Sequence, residues 1–543
     1  MMRLLIALLC LALAVPAVAA PQPTPPPPPK APGDPAAVPT WEWIQLDGYL
    51  RGRGSLYVNH DLDRGGTPTT GEPVFPIPPS GDQAVGSLDA RFRLDLGIHI
   101  GDVVQIHARV DALDNLVLGS TPQGFPRTRW APMVWGSVRQ EPPAAGINAF
   151  TNSIRVKRAY GQVLTPIGLL MVGRMGMPEW GLGIVAAGSD GLDDDVDDEV
   201  DRVGFVTTFR EHFVGVAFDI NATGPTTMTS VGTENAGRAI DLELRDNVYT
   251  VSLVLGRDAP PHAIDRRLRA GRASFDYGTY VTYRWQRAEF PAFYLEGLDG
   301  EDLTWDTDDA LRRDLKALMV DLWLRLHVGR VRVELEGAFL RSRIGNAAMD
   351  AGMDVPPIDS TQAGGALQVE VEAVRQRLWL QLEAGVASGD RAPGLGVAPP
   401  LDQLSTQAGD FDGPQFHLDD DLAINNFRFH PNHHVDVVFW RQIAGTVTDA
   451  VYGRLELKVQ ASRALELRLA GIPSFAVRSR STPGGHPFYG GEVDLHLRWR
   501  PVAGFELWGD LGLFLPGRGM DNPAAGLGAK PALGGHLMAA FVY

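Results

Sequence analysis

The sequence predicts an all-β fold: a single transmembrane antiparallel β-barrel of about 18 to 20 strands, with 16 as the lower limit. Three observations predict it. Apolar and polar residues alternate with period two through segment after segment. Many of those segments run ten to fourteen residues, beyond the usual soluble strand. The connections between them are short and long in turn.

The 543 residues carry 61 Gly, 41 Pro and a formal charge of −16, with 44 % hydrophobic and 21 % charged residues. That composition supports a large folded structure and excludes wholesale disorder. No basic stripe stands out, so no nucleic-acid partner is expected. The single cysteine, Cys10, lies in the leader, which removes disulfide and thiolate chemistry from the mature chain.

Residues 1–19 read as a secretory signal: Arg3, an apolar stretch from Leu4 to Val15, and Ala17-Val18-Ala19 as a small-x-small cleavage site. Residues 20–40 follow as a proline-rich periplasmic linker, with Pro25 to Pro29 consecutive. The barrel is expected over 41–543. No later stretch is apolar enough for a membrane helix.

Within the barrel, Leu94, Leu96, Ile98 and Ile100 alternate with Arg93, Asp95, Gly97 and His99. Leu318, Val320, Leu322, Leu324 and Leu326 share one face, with Asp321 and Arg325 on the other. Val331 to Glu336, Leu367 to Glu372, Leu378 to Glu383, Leu455 to Gln460 and Val493 to Trp499 repeat the pattern. Short connections fall near Gly101, Pro166, Glu211, Asp246, Arg287, Val328, Arg375, Ser462 and Val502. Long ones are expected at 58–86, 115–152, 176–202, 221–238, 258–272, 297–314, 342–363, 389–448, 473–486 and 516–532. Short periplasmic turns and long extracellular loops are the outer-membrane pattern, and both termini then fall on the short-turn side. The 389–448 loop is long enough to form a constriction or plug.

The bilayer requires closure, because an open sheet edge in hydrocarbon leaves backbone groups unpaired. The Leu/Val/Ile rows should face lipid and the charged rows the lumen. Lumen or constriction candidates are therefore Arg91, Arg93, Arg109, Arg155, Lys157 and Arg325, against Glu334, Glu336, Glu370 and Glu372, with Asp95 and Asp111. Trp43, Tyr49, Tyr57, Trp180, Tyr280, Trp285, Trp499 and Trp508 are expected either in interfacial girdles or along the lumen. A final strand ending Phe541-Val542-Tyr543 is similar to the C-terminal signal read by the barrel-assembly machinery.

Two clusters bear on chemistry. Asp190, Asp193, Asp194, Asp195, Asp197, Asp198, Glu199 and Asp201 place eight carboxylates in twelve residues. Clustered carboxylates suit calcium, so the six aspartates from Asp190 to Asp198 are a candidate Ca²⁺ site; a solvated acidic loop is the alternative. His430, His433, His434 and Asp436 share one loop and are weighed as a zinc or copper site against plain loop histidines. No Gly-x-Ser-x-Gly elbow or phosphate loop occurs, so no catalytic residue is assigned and no enzyme is expected.

The stretch Ser153–Phe205, with its turn at Thr165-Pro166, resembles the wall of a substrate-type porin. Gly173-Arg174 followed by Trp180-Gly181 is similar to alginate-export-type barrels, which would imply a sugar-acid substrate. The whole layout, with Phe427-Arg428-Phe429-His430-Pro431 and Val447-Thr448-Asp449-Ala450, resembles an uncharacterised myxobacterial-type family of outer-membrane barrels. The expected function is a porin-like channel for small polar or charged solutes. The alternative is a non-transporting surface barrel whose acidic loops serve adhesion or contact lipopolysaccharide and divalent ions. The expected partners are the lipid bilayer, lipopolysaccharide, the assembly machinery and the solute; calcium is the one cofactor implied.

Overall fold

The structure is a computed structural model. It describes residues 43–65, 84–101, 103–117, 154–196, 199–221, 247–289, 311–346, 355–390 and 421–543. The leader, the proline-rich linker, Asp197 and Asp198 lie outside the described residues.

Eighteen antiparallel strands form one sheet. They are β1 (Ile44–Val58), β2 (Ala84–Ile100), β3 (Val104–Val117), β4 (Ile154–Thr165), β5 (Gly168–Met175) and β6 (Val200–Phe209). β7 (His212–Asn221), β8 (Val248–Arg257), β9 (Ser274–Glu289), β10 (Leu311–Val328), β11 (Val331–Ile344) and β12 (Ile358–Val374) follow. β13 (Leu378–Ala387), β14 (Ala450–Gln460), β15 (Leu465–Ala476), β16 (Phe488–Val502), β17 (Phe505–Pro516) and β18 (Ala532–Val542) complete the wall. Each strand pairs with its chain neighbours, and β1 pairs with both β2 and β18, so the barrel closes and no edge remains.

The closing seam depends on the last residue. Tyr543 exchanges backbone hydrogen bonds with Gly48 at 3.1 and 3.2 Å, and its hydroxyl donates to the Arg93 carbonyl at 3.0 Å. Gly48 has φ +156°, and a Cβ there would lie 2.1 Å from the Arg93 carbonyl oxygen and 2.7 Å from the Tyr543 hydroxyl. Only glycine fits that position.

Period-two patterning sorts the faces as expected. Along β1, Leu46, Leu50 and Leu56 are exposed outward while Arg51, Arg53, Ser55 and Tyr57 are buried inward. Leu318, Leu322, Leu324 and Leu326 on β10, Leu455 and Leu457 on β14, and Leu511, Leu513 and Leu515 on β17 continue the apolar outer belt. Such a belt is stable only against lipid, which makes this the architecture of a transmembrane barrel. Trp43, Phe209, Phe275, Trp499 and Phe541 ring its short-turn end, and Tyr283, Phe339 and Phe475 lie toward the other. Of the remaining aromatics weighed as girdle residues, Tyr49 and Tyr57 are buried inside the barrel.

The count falls at the lower end of the central expectation for one local reason. Arg287, expected at a short turn, lies within β9, and Asp246, the other, is outside the described residues. The connection at 258–273, expected as a long outer loop, lies instead at the short-turn end. There it carries a short helix, α1 (Pro261–Arg269), with Pro at its first turn and three arginines in its last.

Candidate functional site

An 18-stranded barrel is too wide to be filled by its own wall side chains. Two inward-folded loops occupy the space. The first, 176–199, connects β5 to β6 and carries the acidic cluster. The second is the described part, 421–449, of the long connection before β14.

The acidic loop lies on an arginine row contributed by β1 to β4. Asp195 accepts from Arg51 Nη2 at 2.9 Å and Arg53 Nη1 at 2.8 Å. Asp193 accepts from Arg53 Nη1 at 3.1 Å, and Asp190 from Arg109 at 2.6 Å and Arg158 at 3.1 Å. The loop backbone contributes as well: Arg91 donates to the Asp194 carbonyl at 2.7 Å, Arg93 to that of Ser189 at 2.5 Å, and Arg51 to that of Leu192. Beneath this layer the wall has its own cross-strand pairs. Arg93 grips Asp111 with two bonds of 2.7 and 2.6 Å, and Arg109 grips Asp95 with bonds of 2.6 and 3.0 Å.

Electrostatics follow from this geometry. Burial works to raise the Asp195 carboxyl, but Arg53, Arg51 and Arg91 together hold it well below the ordinary carboxylate range. The same holds for Asp193: burial opposes ionisation, while Arg441, His536 and Arg53 outweigh it and lower the value. The Asp194 carboxyl turns back to accept the Gly191 N–H at 2.6 Å, while Arg91 bonds the Asp194 carbonyl. Burial, reinforced by Asp193 and Asp195, pushes Asp194 up to about 6.

Among the described members of the candidate Ca²⁺ site, Asp190, Asp193, Asp194 and Asp195, the carboxylates do not gather about one point; Asp197 and Asp198 lie outside the described residues. Calcium takes six to eight oxygens about one point. Here Asp190, Asp193 and Asp195 each face guanidinium groups, and Asp194 turns back onto its own loop.

The other end of the same loop crosses the lumen to β10 and β11. Trp180 Nε1 donates to Asp321 at 2.7 Å, and the Leu182 and Ile184 amides donate to Glu336 Oε2 at 2.5 and 3.3 Å. The loop is thus tied to both sides of the barrel.

The 421–449 loop completes the plug by apolar packing. Phe427, Phe429, Val437, Val438, Phe439, Trp440 and Ile443 form one buried cluster with Tyr57, Tyr452, Tyr489 and Phe514 of the wall and with Ile184 of the acidic loop. Wall glycine makes room for it: a Cβ on Gly364 would lie 2.3 Å from the Phe427 ring. Glu492 of β16 receives three consecutive amides, those of Val437, Val438 and Phe439, at 2.6 to 3.0 Å. Asp436 caps the same π-helical turn (Phe439–Ile443) through the Trp440 and Arg441 amides. The two loops meet where Arg441 reaches Asp193 at 2.6 Å and Asn432 bonds the Asp195 and Val196 amides and the Gly188 and Val196 carbonyls.

The loop histidines do not converge. His433 contacts the Leu182 carbonyl at 2.9 Å and lies 3.6 Å from Glu383. His430 accepts the Asn432 amide through Nδ1 at 3.1 Å, and His434 lines a separate cavity.

The remaining lumen candidates divide by depth. Arg91, Arg93 and Arg109 are buried under the acidic loop, and Glu336 anchors its far end. Glu334 accepts from Trp323 Nε1 at 2.8 Å and from Arg332. Glu370 meets Lys458 at 3.1 Å, Glu372 accepts the Gln376 amide at 2.6 Å, and Arg325 pairs with Asp258 at 2.5 Å. Arg155 and Lys157 sit half-buried on β4. Toward the short-turn end, Arg332, Glu370, Lys458, Arg468 and Arg498 keep part of their surface in water. A cavity of about 250 Å³ continues from there beneath the plug, lined by Arg441, Arg454, Arg468, Arg498, His496, Trp508 and Asp510 among others. Sequence reasoning missed Arg51, Arg53, Asn432, Arg441 and Glu492. Arg51 and Arg53 carried a signal, standing at alternate positions beside the alternating Arg91 and Arg93.

No family model matches the chain, and no curated protein matches it. Solved structures similar to it include the outer membrane channel DcaP of Acinetobacter baumannii (12 % identity, 92 % of this chain and 97 % of that one, TM-score 0.39). Pseudomonas aeruginosa OccK11 (OpdR) shares 10 % identity over 92 % and 95 % of the chains, with TM-score 0.42. A BenF-like porin from Pseudomonas fluorescens Pf-5 shares 8 % over 92 % and 98 %, with TM-score 0.45.

Proposed function

We propose that the chain is an outer-membrane channel of porin type for small polar or charged solutes, with a lumen narrowed by its own loops. The observation that carries this reading is the charged, partly water-exposed inner wall of β11 to β17, which leads into the cavity under the plug. The apolar outer belt with its aromatic ends, and the seam closed by Tyr543, support placement in an outer membrane. On this reading Phe541–Tyr543 is the segment presented to the assembly machinery, and the proline-rich linker lies in the periplasm. The layout also supports membership of the myxobacterial-type family named above.

One observation favours a second reading. The aromatic cluster around Phe439 and Trp440 packs within the lumen against the wall, which suits a non-transporting surface barrel that touches lipopolysaccharide or other cells through its long loops. Single-channel recording of the refolded full chain in a planar bilayer in KCl separates the two. Discrete open steps with ion selectivity are expected. A folded, heat-modifiable barrel without conductance refutes the channel.

A further inference from the structure

We propose that Asp193, Asp510 and His536 form a binding site for a divalent transition-metal ion of the zinc type, at the seam between the acidic loop and the barrel wall. The three residues come from separate elements: the 176–199 loop, β17 and β18. His536 Nε2 lies 2.8 Å from Asp510 Oδ2 and 3.5 Å from Asp193 Oδ2, and one ligand atom from each residue falls within 4.8 Å of the others. A tetrahedral ion with bonds of roughly 2.0–2.1 Å holds its ligand atoms about 3.4 Å apart, so small side-chain adjustments close the shell.

The histidine is the independent sign of a ligand. Its side chain is only 3 % exposed, and Nε2 points between two carboxylates, 2.8 Å from Asp510 Oδ2 and 3.5 Å from Asp193 Oδ2. One buried imidazole nitrogen converging with two carboxylate oxygens from separate elements is a donor set that a Lewis acid can take in place of the proton between them. Outer support is present too: His496 Nδ1 lies 2.6 Å from the other oxygen of Asp510, which orients that carboxylate. The cavity beside Asp193, His496 and Asp510 supplies water for a fourth position and a route of entry. One imidazole with two carboxylates suits zinc, cobalt or nickel; calcium prefers an all-oxygen shell.

Arg441 sets the cost. Its guanidinium lies 2.6 Å from the same Asp193 oxygen, so an entering ion displaces it, while Arg53 keeps the other Asp193 oxygen at 3.1 Å. Two carboxylates then balance the dication. The ion staples the acidic loop to β17 and β18 and frees Arg441 from the contact that joins the two loops.

The test uses chelator-treated full-length protein in detergent, titrated with Co²⁺ by visible absorption and with Zn²⁺ by calorimetry. One equivalent is expected, with a four-coordinate Co²⁺ spectrum and no heat from Ca²⁺. His536→Gln should abolish binding. His496→Gln should weaken it roughly 10–100-fold. Arg441→Gln, which removes the competing cation, should tighten it, a response that a chance surface site would not give. Absence of binding, a six-coordinate aquo-like spectrum on the wild type, equal affinity in His536→Gln, or unchanged affinity in Arg441→Gln each overturns the proposal.

Discussion

Replacing Asp195 with alanine tests whether the acidic loop is held by charge and whether it obstructs the lumen. The carboxylate faces Arg51 at 2.9 Å and Arg53 at 2.8 Å, with Arg91 at 3.8 Å, and the Arg51 side chain has no solvent exposure. Orphaning one partner of a buried ion pair costs about 3–5 kcal/mol. Arg53 keeps Asp89 and Asp193, both at 3.1 Å, and Arg51 keeps the Leu192 carbonyl, so the lower value of about 3 kcal/mol applies. At 1.4 kcal/mol per decade this shifts the docked-to-free ratio of the loop by roughly 10²-fold. The loss falls on loop docking because the strand ladders are untouched. Freed of the loop, the lumen gains width and bares Arg51, Arg53, Arg91 and Arg93. Planar-bilayer recording should therefore show larger steps with stronger anion selectivity, and amides 180–196 should exchange faster in D₂O. Asp201→Ala is the control: the Arg174–Asp201 pair is more than half exposed on both sides and is worth less than about 1 kcal/mol. If Asp195→Ala changes neither conductance nor exchange, the ionic docking does not hold the loop and the reasoning fails.

Two further outcomes follow from the same structure. Burial together with Asp193 and Asp195 raises the Asp194 carboxyl to about 6, so the fold binds its proton more tightly than the unfolded chain does. That stability is full below the ordinary carboxylate range and is lost as pH rises through about 6; Asp194→Asn keeps the acceptor for Gly191 and should stabilise loop docking by up to about 3 kcal/mol at pH 7.5, yet leave pH 4 unchanged, as read by exchange of the loop amides. Leu322, 58 % exposed in the middle of β10, faces lipid, and Leu322→Arg should cost about 2–4 kcal/mol in urea unfolding from vesicles; a neutral result would place that row away from the bilayer.

The barrel was legible in the sequence because its signal is local. Leu322 and Leu324 announce the outer face, and Asp321 and Arg325 the inner one, within five residues. Strand number was less legible where turn residues occur inside strands, as at Arg287. A plug was expected from the length of the 389–448 connection, but the contacts that hold it were hidden because they are remote. Arg51 meets Asp195 across 144 residues, and Asn432 meets Val196 across 236. No periodicity encodes such a meeting. Charge balance does: an arginine row alternating along β1 and β2 needs a buried counter-charge, and the acid-rich stretch from Asp190 is the largest local source of it. Reading those carboxylates as calcium ligands or as a solvated loop overlooked the guanidiniums as the nearer partners.

The two loops are held by different physics, and this fixes how a path through the barrel would open. Moving 421–449 would expose Phe427, Phe429, Phe439, Trp440 and Ile443 to water at once, and would strip Glu492 of the three amide bonds it accepts from Val437, Val438 and Phe439. Nothing in an aqueous lumen replaces those apolar contacts. The acidic loop is held chiefly by carboxylate–guanidinium pairs at its Asp190–Asp195 end, and water, ions or a charged solute offer substitute partners to both halves of each pair. Its other end needs Trp180 and two amides released from Asp321 and Glu336, Ile184 withdrawn from the apolar cluster, and the His430 and His433 bonds to the Ile184 and Leu182 carbonyls broken. Opening by way of 176–199, along the β1–β4 wall, is therefore the less costly route. The Arg441–Asp193 contact and the Asn432 bonds to Gly188, Asp195 and Val196 are points at which the moving loop must part from the one that stays.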